Sequence, residues 1–377
     1  MKKSLIAAIV VLFSFSAGVL SYAQDSSTPE NVSETVVVSM DENKAVAYAL
    51  ENSNAIKSVI ADCNAKKYQV SDAKKSYDNF HKNPYEASSF EVSLLRRGYY
   101  VDMAQLQYDS SLRTLEIEKT NLKNQVKSDI YTYFNNKNKQ ALAEKNLENA
   151  EEKLTFAKAR LDNGTISRLD YTLFELSALN ARNSLSQAER NTALSLDTIK
   201  TTINLPKEKE LKIIGTMPEI DITYAPPEEA IPASRTQNTY LVLSDSHNAA
   251  KKRFAAAEGY YFPHEFAYQI EKYTFEKAQC DFETNVNSLD SGIKSTYNKL
   301  LDIKNSIDYT EQYLDYLKKS TDVAYTKYEM GMITVNNYVD TEQEYFKAQN
   351  DYMDLLLNYR TAALQYRAIY TNDNITD

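Results

Sequence analysis

Two long stretches of the chain carry apolar residues at helical spacing with almost no interruption. The first runs from about Gly98 to Asn163 with no proline or glycine after its start, roughly 65 residues or about 98 Å at the rise of an α-helix. Within it Ala143, Leu147, Ala150, Leu154, Ala157 and Leu161 alternate steps of four and three, the stripe of a coiled-coil seam. The second stretch, His264 to Met330, keeps the same stripe in Ile303, Ile307, Thr310, Leu314, Leu317, Thr321, Ala324 and Tyr328. Helices this long exceed those of ordinary globular domains and need partners along their length. The Ala and Thr at seam positions predict close packing.

Both stretches end in the same way. Residues 157–175 and 324–342 superimpose at an offset of 167 (331 − 164). Ala157, Gly164, Ile166 and Tyr171 recur as Ala324, Gly331, Ile333 and Tyr338. Each copy reads as a helix, a tight turn and a returning helix. The glycine supplies a left-handed C′ residue, and Ser167 or Thr334 caps the next helix, with Asp170 or Asn337 at the capping-box distance. The returning helices run to about Ile203, before Leu205-Pro206, and to about Tyr370. A duplicated helical hairpin predicts two tandem repeats.

The remaining segments fill in around these hairpins. Ser39-Met40-Asp41-Glu42 reads as a capping box that opens a short helix to Asn52, and Ala55 to Phe80 is a second helix. Residues 81–97 read as a connector. Residues 207–237, with an alternating LKIIGTMPEIDITY and Pro226, Pro227 and Pro232, read as one or two short strands and an irregular linker. A short helix to Glu258 and a brief break at Gly259–Pro263 lead into the second long helix. The expected division is a signal peptide over 1–23, a flexible leader over 24–38, a first repeat over 39–206, a linker over 207–237, a second repeat over 238–371 and a tail over 372–377. The fold class is all-α: elongated antiparallel coiled-coil hairpins in two tandem repeats, forming a rod of about 100 Å with both glycine turns at one end.

Composition agrees, with only 7 Gly, 8 Pro and no Trp beside 29 Tyr, which favours long helices over turns. Lys2 and Lys3, the apolar run Leu5–Leu20 and Ser21-Tyr22-Ala23 form a Sec signal cleaved after Ala23, and the compartment is therefore the cell envelope. No other stretch approaches the run of about 18 apolar residues that a spanning helix needs. Removal of the two signal lysines takes the formal charge from −9 to −11, which argues against nucleic acid as a partner. Cys63 and Cys280 fit no metal spacing. They lie at similar heights if the connectors mark one end, so they are a disulfide only if their helices are neighbours, and otherwise plain packing residues. His81, His247 and His264 are scattered, as surface or capping residues. The sequence has no zinc pattern, phosphate loop or nucleophile elbow, and no cofactor or enzymatic activity is expected.

At this point a family resemblance is visible. Residues 38–70 resemble the opening helices of TolC-like outer-membrane efflux proteins. Residues 159–206, with their glycine-apolar turn and closing Asn204-Leu205-Pro206, resemble that family's first hairpin, and residues 328–370 its second. The resemblance implies a homotrimer whose helices line a hollow tunnel. Its hairpin tips would dock onto a periplasmic adaptor serving an inner transporter, in an efflux pump or type I secretion system. The docking residues it implies are Gly164, Ile166, Ser167 and Asp170 in the first tip and Gly331, Ile333, Thr334 and Asn337 in the second. Asp340 is similar in placement to an aspartate at the tunnel entrance. Asn337 and Ile333 stand where that family has a second aspartate and a gating arginine.

One departure from the family is large. Its members insert two membrane-spanning strands into each repeat, and a pair of such strands with a loop needs upwards of about 25 residues. The connectors here, about 17 and about five residues long, are too short for that. The expectation is a chain without barrel strands and soluble without detergent, acting either as a duct component or as an exported coiled-coil spacer or binding module.

Overall fold

The computed structural model describes residues 37–82, 89–217 and 224–371. The expected signal peptide, nearly all of the leader and the tail after Thr371 lie outside the described residues. In chain order the elements are β1 (Val37–Met40), α1 (Glu42–Asn52), α2 (Asn54–Lys82), α3 (Phe90–Arg96), α4 (Tyr99–Asp162), α5 (Arg168–Thr202), β2 (Glu210–Ile213), α6 (Pro227–Ser234), α7 (Asn238–Glu258), α8 (Phe266–Glu329) and α9 (Val335–Tyr370).

The repeat is kept to the residue. Helices α4 and α8 each have 64 residues, about 96 Å of helix. Their first residues, their last residues and the starts of α5 and α9 are all separated by the same 167 positions. The seam residues face inward as the pattern predicts: Ala143, Ala150, Ala157, Leu317 and Ala324 are buried, and the others on the two stripes are half-buried. Where an alanine occupies the seam the facing helix comes close, as Ala150 does against Ala178 and Ala181 of α5. The molecule is therefore an elongated, all-α rod of antiparallel hairpins.

In the tip half, α5 packs on α4, α4 on α9 and α9 on α8, and near the tips α5 also touches α9. In the other half the sequence of neighbours is α2, α4, α7, α8. Each half is a row of helices, and α8 ends the row in both.

The largest core lies at mid-length. Ala45 and Ala49 of α1 pack with Val126, Ile130 and Phe134 of α4 and with Ile199 and Ile203 of α5. Strand β1 closes this core by pairing in parallel with β2, in the register Val37↔Glu210 to Met40↔Ile213. Leu211 and Ile213 point inward, and Glu210 and Lys212 point to solvent. Burial, with Glu42 beside it, raises the phenol of Tyr131 to about 12.

Three local expectations are corrected. Ser39 does not cap α1: pairing with β2 keeps it extended, and the cap passes to Asp41, whose carboxylate accepts from the Lys44 N–H at 2.8 Å. That bond also holds the Asp41 carboxyl below its ordinary pKa. The first connector contains a helix, α3, capped by Ser89. The linker contains another, α6, because Pro227 takes the first helical position, where a missing N–H has no consequence. Ala230 of α6 is buried among Ile293, Leu300, Tyr359 and Tyr366. Helix α6 is thus the second repeat's counterpart of α1, clamping α8 and α9 as α1 clamps α4 and α5.

At the end away from the glycine turns, α3 and the turn 259–265 lie across the ends of α2, α4, α7 and α8. Phe90, Leu94, Ala256 and Ala257 are buried there, with Tyr99 and Tyr261 packed against them. Arg97 donates to the Gly259 carbonyl at 3.3 Å. The connectors are occupied by a helix and a turn, with no strand among their described residues.

The cysteines are not bonded. Cys63 is buried between α2 and α4, its thiol donating to the Ser111 carbonyl at 3.3 Å, while Cys280 is exposed on α8. A thiol reagent is therefore expected to label one cysteine promptly in the native protein and the second only after denaturation. Simultaneous labelling of both would contradict the packing of α2 on α4.

Candidate functional site: the paired hairpin tips

Each tip is built by the same local chemistry. Helix α4 runs out at Asp162, and Gly164 adopts φ 70°, a left-handed conformation that glycine enters without a Cβ clash. The Gly164 N–H donates to the Leu161 carbonyl at 2.9 Å and the Thr165 N–H to the Arg160 carbonyl at 2.8 Å. This is a Schellman closure. The second tip repeats it: Gly331 has φ 71° and donates to Tyr328 at 2.9 Å, and Met332 donates to Lys327 at 2.8 Å. A Cβ on either glycine would meet no atom within 4 Å, so the requirement for glycine is conformational, not spatial.

The restart of each hairpin differs. Ser167 and Asp170 form a reciprocal capping box, with bonds of 3.1 and 3.3 Å. Thr334 accepts from the Asn337 N–H at 3.3 Å, and α9 shows no return bond from Asn337. The second cap is held from one side only.

The tertiary structure brings the two tips together. Ala157 and Phe174 of the first repeat share a core with Ala324, Val335, Tyr338 and Val339 of the second. Arg160 bridges the repeats, 2.9 Å from Glu329 and with its guanidinium 5.3 Å from the centre of the Tyr328 ring. Lys153 pairs with Glu342 and lies 5.2 Å from the Tyr338 ring centre. Tyr328 and Tyr338 stack at 5.7 Å, and burial raises both phenols. A groove of about 460 Å³ opens beside them, bounded by Phe156, Arg160, Asn163, Tyr325 and Tyr328.

The residues expected to dock a partner divide. Ile166 and Ile333 turn inward against the shared core, so they brace the tip from inside. The outward apolar groups are others: Met330 is 66 % and Met332 70 % exposed on either side of Gly331, and Leu169 and Phe156 are exposed beside the first turn. The first tip presents Asn163-Gly164-Thr165 and the second Met330-Gly331-Met332, a polar face beside an apolar one. Asp340 is exposed, its carboxylate accepting from the Asn336 amide at 3.0 Å. In the sequence Arg160 and Glu329 stand out only as residues that recur in kind between the repeats, as Lys327 and Asp162, and nothing there pairs them with each other or marks Lys153 and Glu342.

Residues 264–370, the long hairpin of the second repeat, match the model of the outer membrane efflux protein family. The resemblance to the TolC-like efflux proteins holds. It extends to the fold of nearly the whole chain. The Campylobacter jejuni CmeC outer membrane channel superimposes with a TM-score of 0.69 at 12% identity, over 89% of this chain and 87% of that one. The Neisseria gonorrhoeae MtrE outer membrane channel, in its open state, gives 0.68 at 13% identity, over 88% and 89%. A membrane protein from Pseudomonas aeruginosa gives 0.71 at 14%, over 89% and 91%. No curated protein matches the sequence. Among the described residues, no helix is long and apolar enough to cross a membrane.

Proposed function

We propose that this protein is one of three identical subunits of an export duct in the cell envelope. Its hairpin tips dock onto a periplasmic adaptor that receives cargo from an inner transporter. The observation that carries this reading is the open row of helices in the tip half. At one end of the row, α5 exposes Leu169, Leu176, Leu179 and Leu194; at the other, α8 exposes Tyr309, Tyr316 and Val323. Two apolar edges on opposite sides of a subunit suit a heterologous contact, α5 of one copy against α8 of the next, and such contacts close into rings. With three copies, helices line a central passage, and each subunit contributes one polar and one apolar tip to the docking rim. The similarity of residues 264–370 to the efflux family supports the same reading.

The edge contact is testable in solution. Leu176→Glu combined with Leu194→Glu places two charges in the interface, where burial without a partner is costly. Sedimentation of the mature protein is expected to change from trimer to monomer with helicity unchanged, and export to be lost with it. A wild-type monomer with full export activity would defeat the ring.

A second reading, an exported coiled-coil spacer or binding module, draws on the far end, where α3 and a tight turn occupy both connectors. The two readings separate in a strain lacking the protein: a duct is required for cargo release, whereas a spacer is not.

A further inference from the structure

We infer that Met330 and Met332, the two thioethers beside Gly331, are a reversible oxidation site, and that their sulfoxides turn off docking at the second hairpin tip. The methionines of the chain meet solvent very differently. Met40 is buried in the mid-length core, and Met103, Met217 and Met353 are half-buried. Met330 is 66 % and Met332 70 % exposed, the most accessible thioethers among the described residues. An oxidant must reach the sulfur to react with it, so exposure ranks the sites. The equivalent positions of the first tip are Asn163 and Thr165, which peroxide leaves unchanged.

Hydrogen peroxide is the only co-reactant required. The thioether lone pair attacks one peroxide oxygen, and the S–O bond forms as the O–O bond breaks. The departing hydroxide takes the proton left on the transferred oxygen and leaves as water. Sulfur gives up two electrons, and the peroxide accepts them. The product is polar and accepts hydrogen bonds, where the thioether was apolar and flexible. A sulfoxide reductase reverses the change: a dithiol supplies two electrons and becomes a disulfide, and the oxygen leaves as water.

The turn tolerates this change because its shape does not depend on the two side chains. The Met330 N–H donates to the Thr326 carbonyl at 3.1 Å, the Gly331 N–H to Tyr328 at 2.9 Å and the Met332 N–H to Lys327 at 2.8 Å. All three bonds are backbone, and the next residue, Ile333, is the one that packs against the shared core. Oxidation therefore leaves the hairpin folded and alters only what the tip presents. Two sulfoxides turn the apolar tip into a second polar one, and a partner that covers them must desolvate two S=O dipoles. The coupling is reciprocal: a docked partner shields both sulfurs, and oxidised sulfurs weaken the partner's binding. The chemistry of the sulfurs is independent of the duct reading, whereas its effect on docking rests on that reading.

The test uses the full mature protein carrying Cys280→Ser, which removes the exposed thiol on α8. Peptide mass spectrometry after treatment with hydrogen peroxide is expected to find sulfoxides at Met330 and Met332 well before Met40, Met103, Met217 or Met353, with circular dichroism unchanged. Affinity for the host's periplasmic adaptor, purified and immobilised, should fall about tenfold on oxidation and return after incubation with a sulfoxide reductase and dithiothreitol. Adaptor bound beforehand should slow the oxidation of both residues. Met330→Leu with Met332→Leu keeps the tip apolar without an oxidisable sulfur. Its affinity, whatever the starting value, should not change with peroxide. Sulfoxides that form no faster at the tip than at the half-buried methionines overturn the proposal, as does an equal fall in affinity of the leucine variant. Adaptor binding that survives complete oxidation of both residues overturns the switch alone and leaves the duct standing. Absence of adaptor binding before any oxidant is added overturns the duct reading, and the switch with it.

Discussion

Tyr366→Ala is expected to cost about 3–5 kcal/mol, the range for removing a large aromatic from a packed core. The side chain is completely buried where α6 clamps α8 and α9. Its ring meets Tyr370 at 5.2 Å, Tyr297 at 5.8 Å and Tyr224 at 6.3 Å between centres. Its hydroxyl donates to the Ala225 carbonyl at 2.7 Å, which fixes the chain entering α6. Burial, with Tyr370 and Tyr297 beside it, raises the phenol to about 12, so it stays a donor throughout the physiological range. Urea unfolding followed by circular dichroism measures the loss. Tyr366→Phe separates its parts: it keeps the ring and is expected to cost only about 1–2 kcal/mol, for the carbonyl left without its donor. Equal losses in the two variants would show that the hydroxyl bond, not ring packing, holds the clamp.

In the proposed duct reading, replacing both tip glycines, Gly164→Val with Gly331→Val, is expected to damage export more than stability. A β-branched residue in the left-handed region costs roughly 1–2 kcal/mol at each turn. Open space around both positions means that no steric collision adds to this. The seams and the mid-length core are remote from the turns, so the melting temperature should fall by only a few degrees. The cost can be relieved by opening the Schellman closures, which would redirect Met330, Met332 and Asn163 at the rim. Affinity for the cognate adaptor is expected to fall about tenfold or more, equivalent to 1.4 kcal/mol or greater. Unchanged affinity and export in the double variant would reduce the tips to simple turns and favour the spacer reading.

The parts of the fold legible in the sequence are those governed by local rules. Seam periodicity, one glycine past each long helix and one hydroxyl three residues later are enough to define α4, α5, α8 and α9 to within two residues. Position 167 residues later repeats the same reasoning. The short elements were legible only in part. Strand β1 is four residues long and was hidden behind a capping-box pattern at Ser39 that β-pairing overrides. Helix α6 was hidden by prolines that begin a helix as readily as they break one. In both cases the deciding contact is with residues far away in the chain.

The candidate site shows the same division. Gly164, Gly331, Ser167 and Thr334 were readable because their roles are backbone conformation and capping, which involve residues at most five positions apart. Which side chains face a partner was not. Ile166 and Ile333 were expected outside and turn inward, because the two tips share one core and the nearest apolar residue on each is drawn into it. Arg160–Glu329 and Lys153–Glu342 span the two repeats, and no spacing rule within either repeat can pair them.

By itself, the sequence determined two equal helical hairpins, their lengths and the conformation of their turns, because hydrogen bonds in helices and caps close over three to five residues. Only the tertiary structure decided that the two tips share one core, that α5 and α8 are left as apolar edges, and that a turn rich in aromatics protrudes at the other end. Those features depend on which faces are used up in packing. An amphipathic helix declares that it has an apolar face; what covers that face is settled only when the other helices are in place.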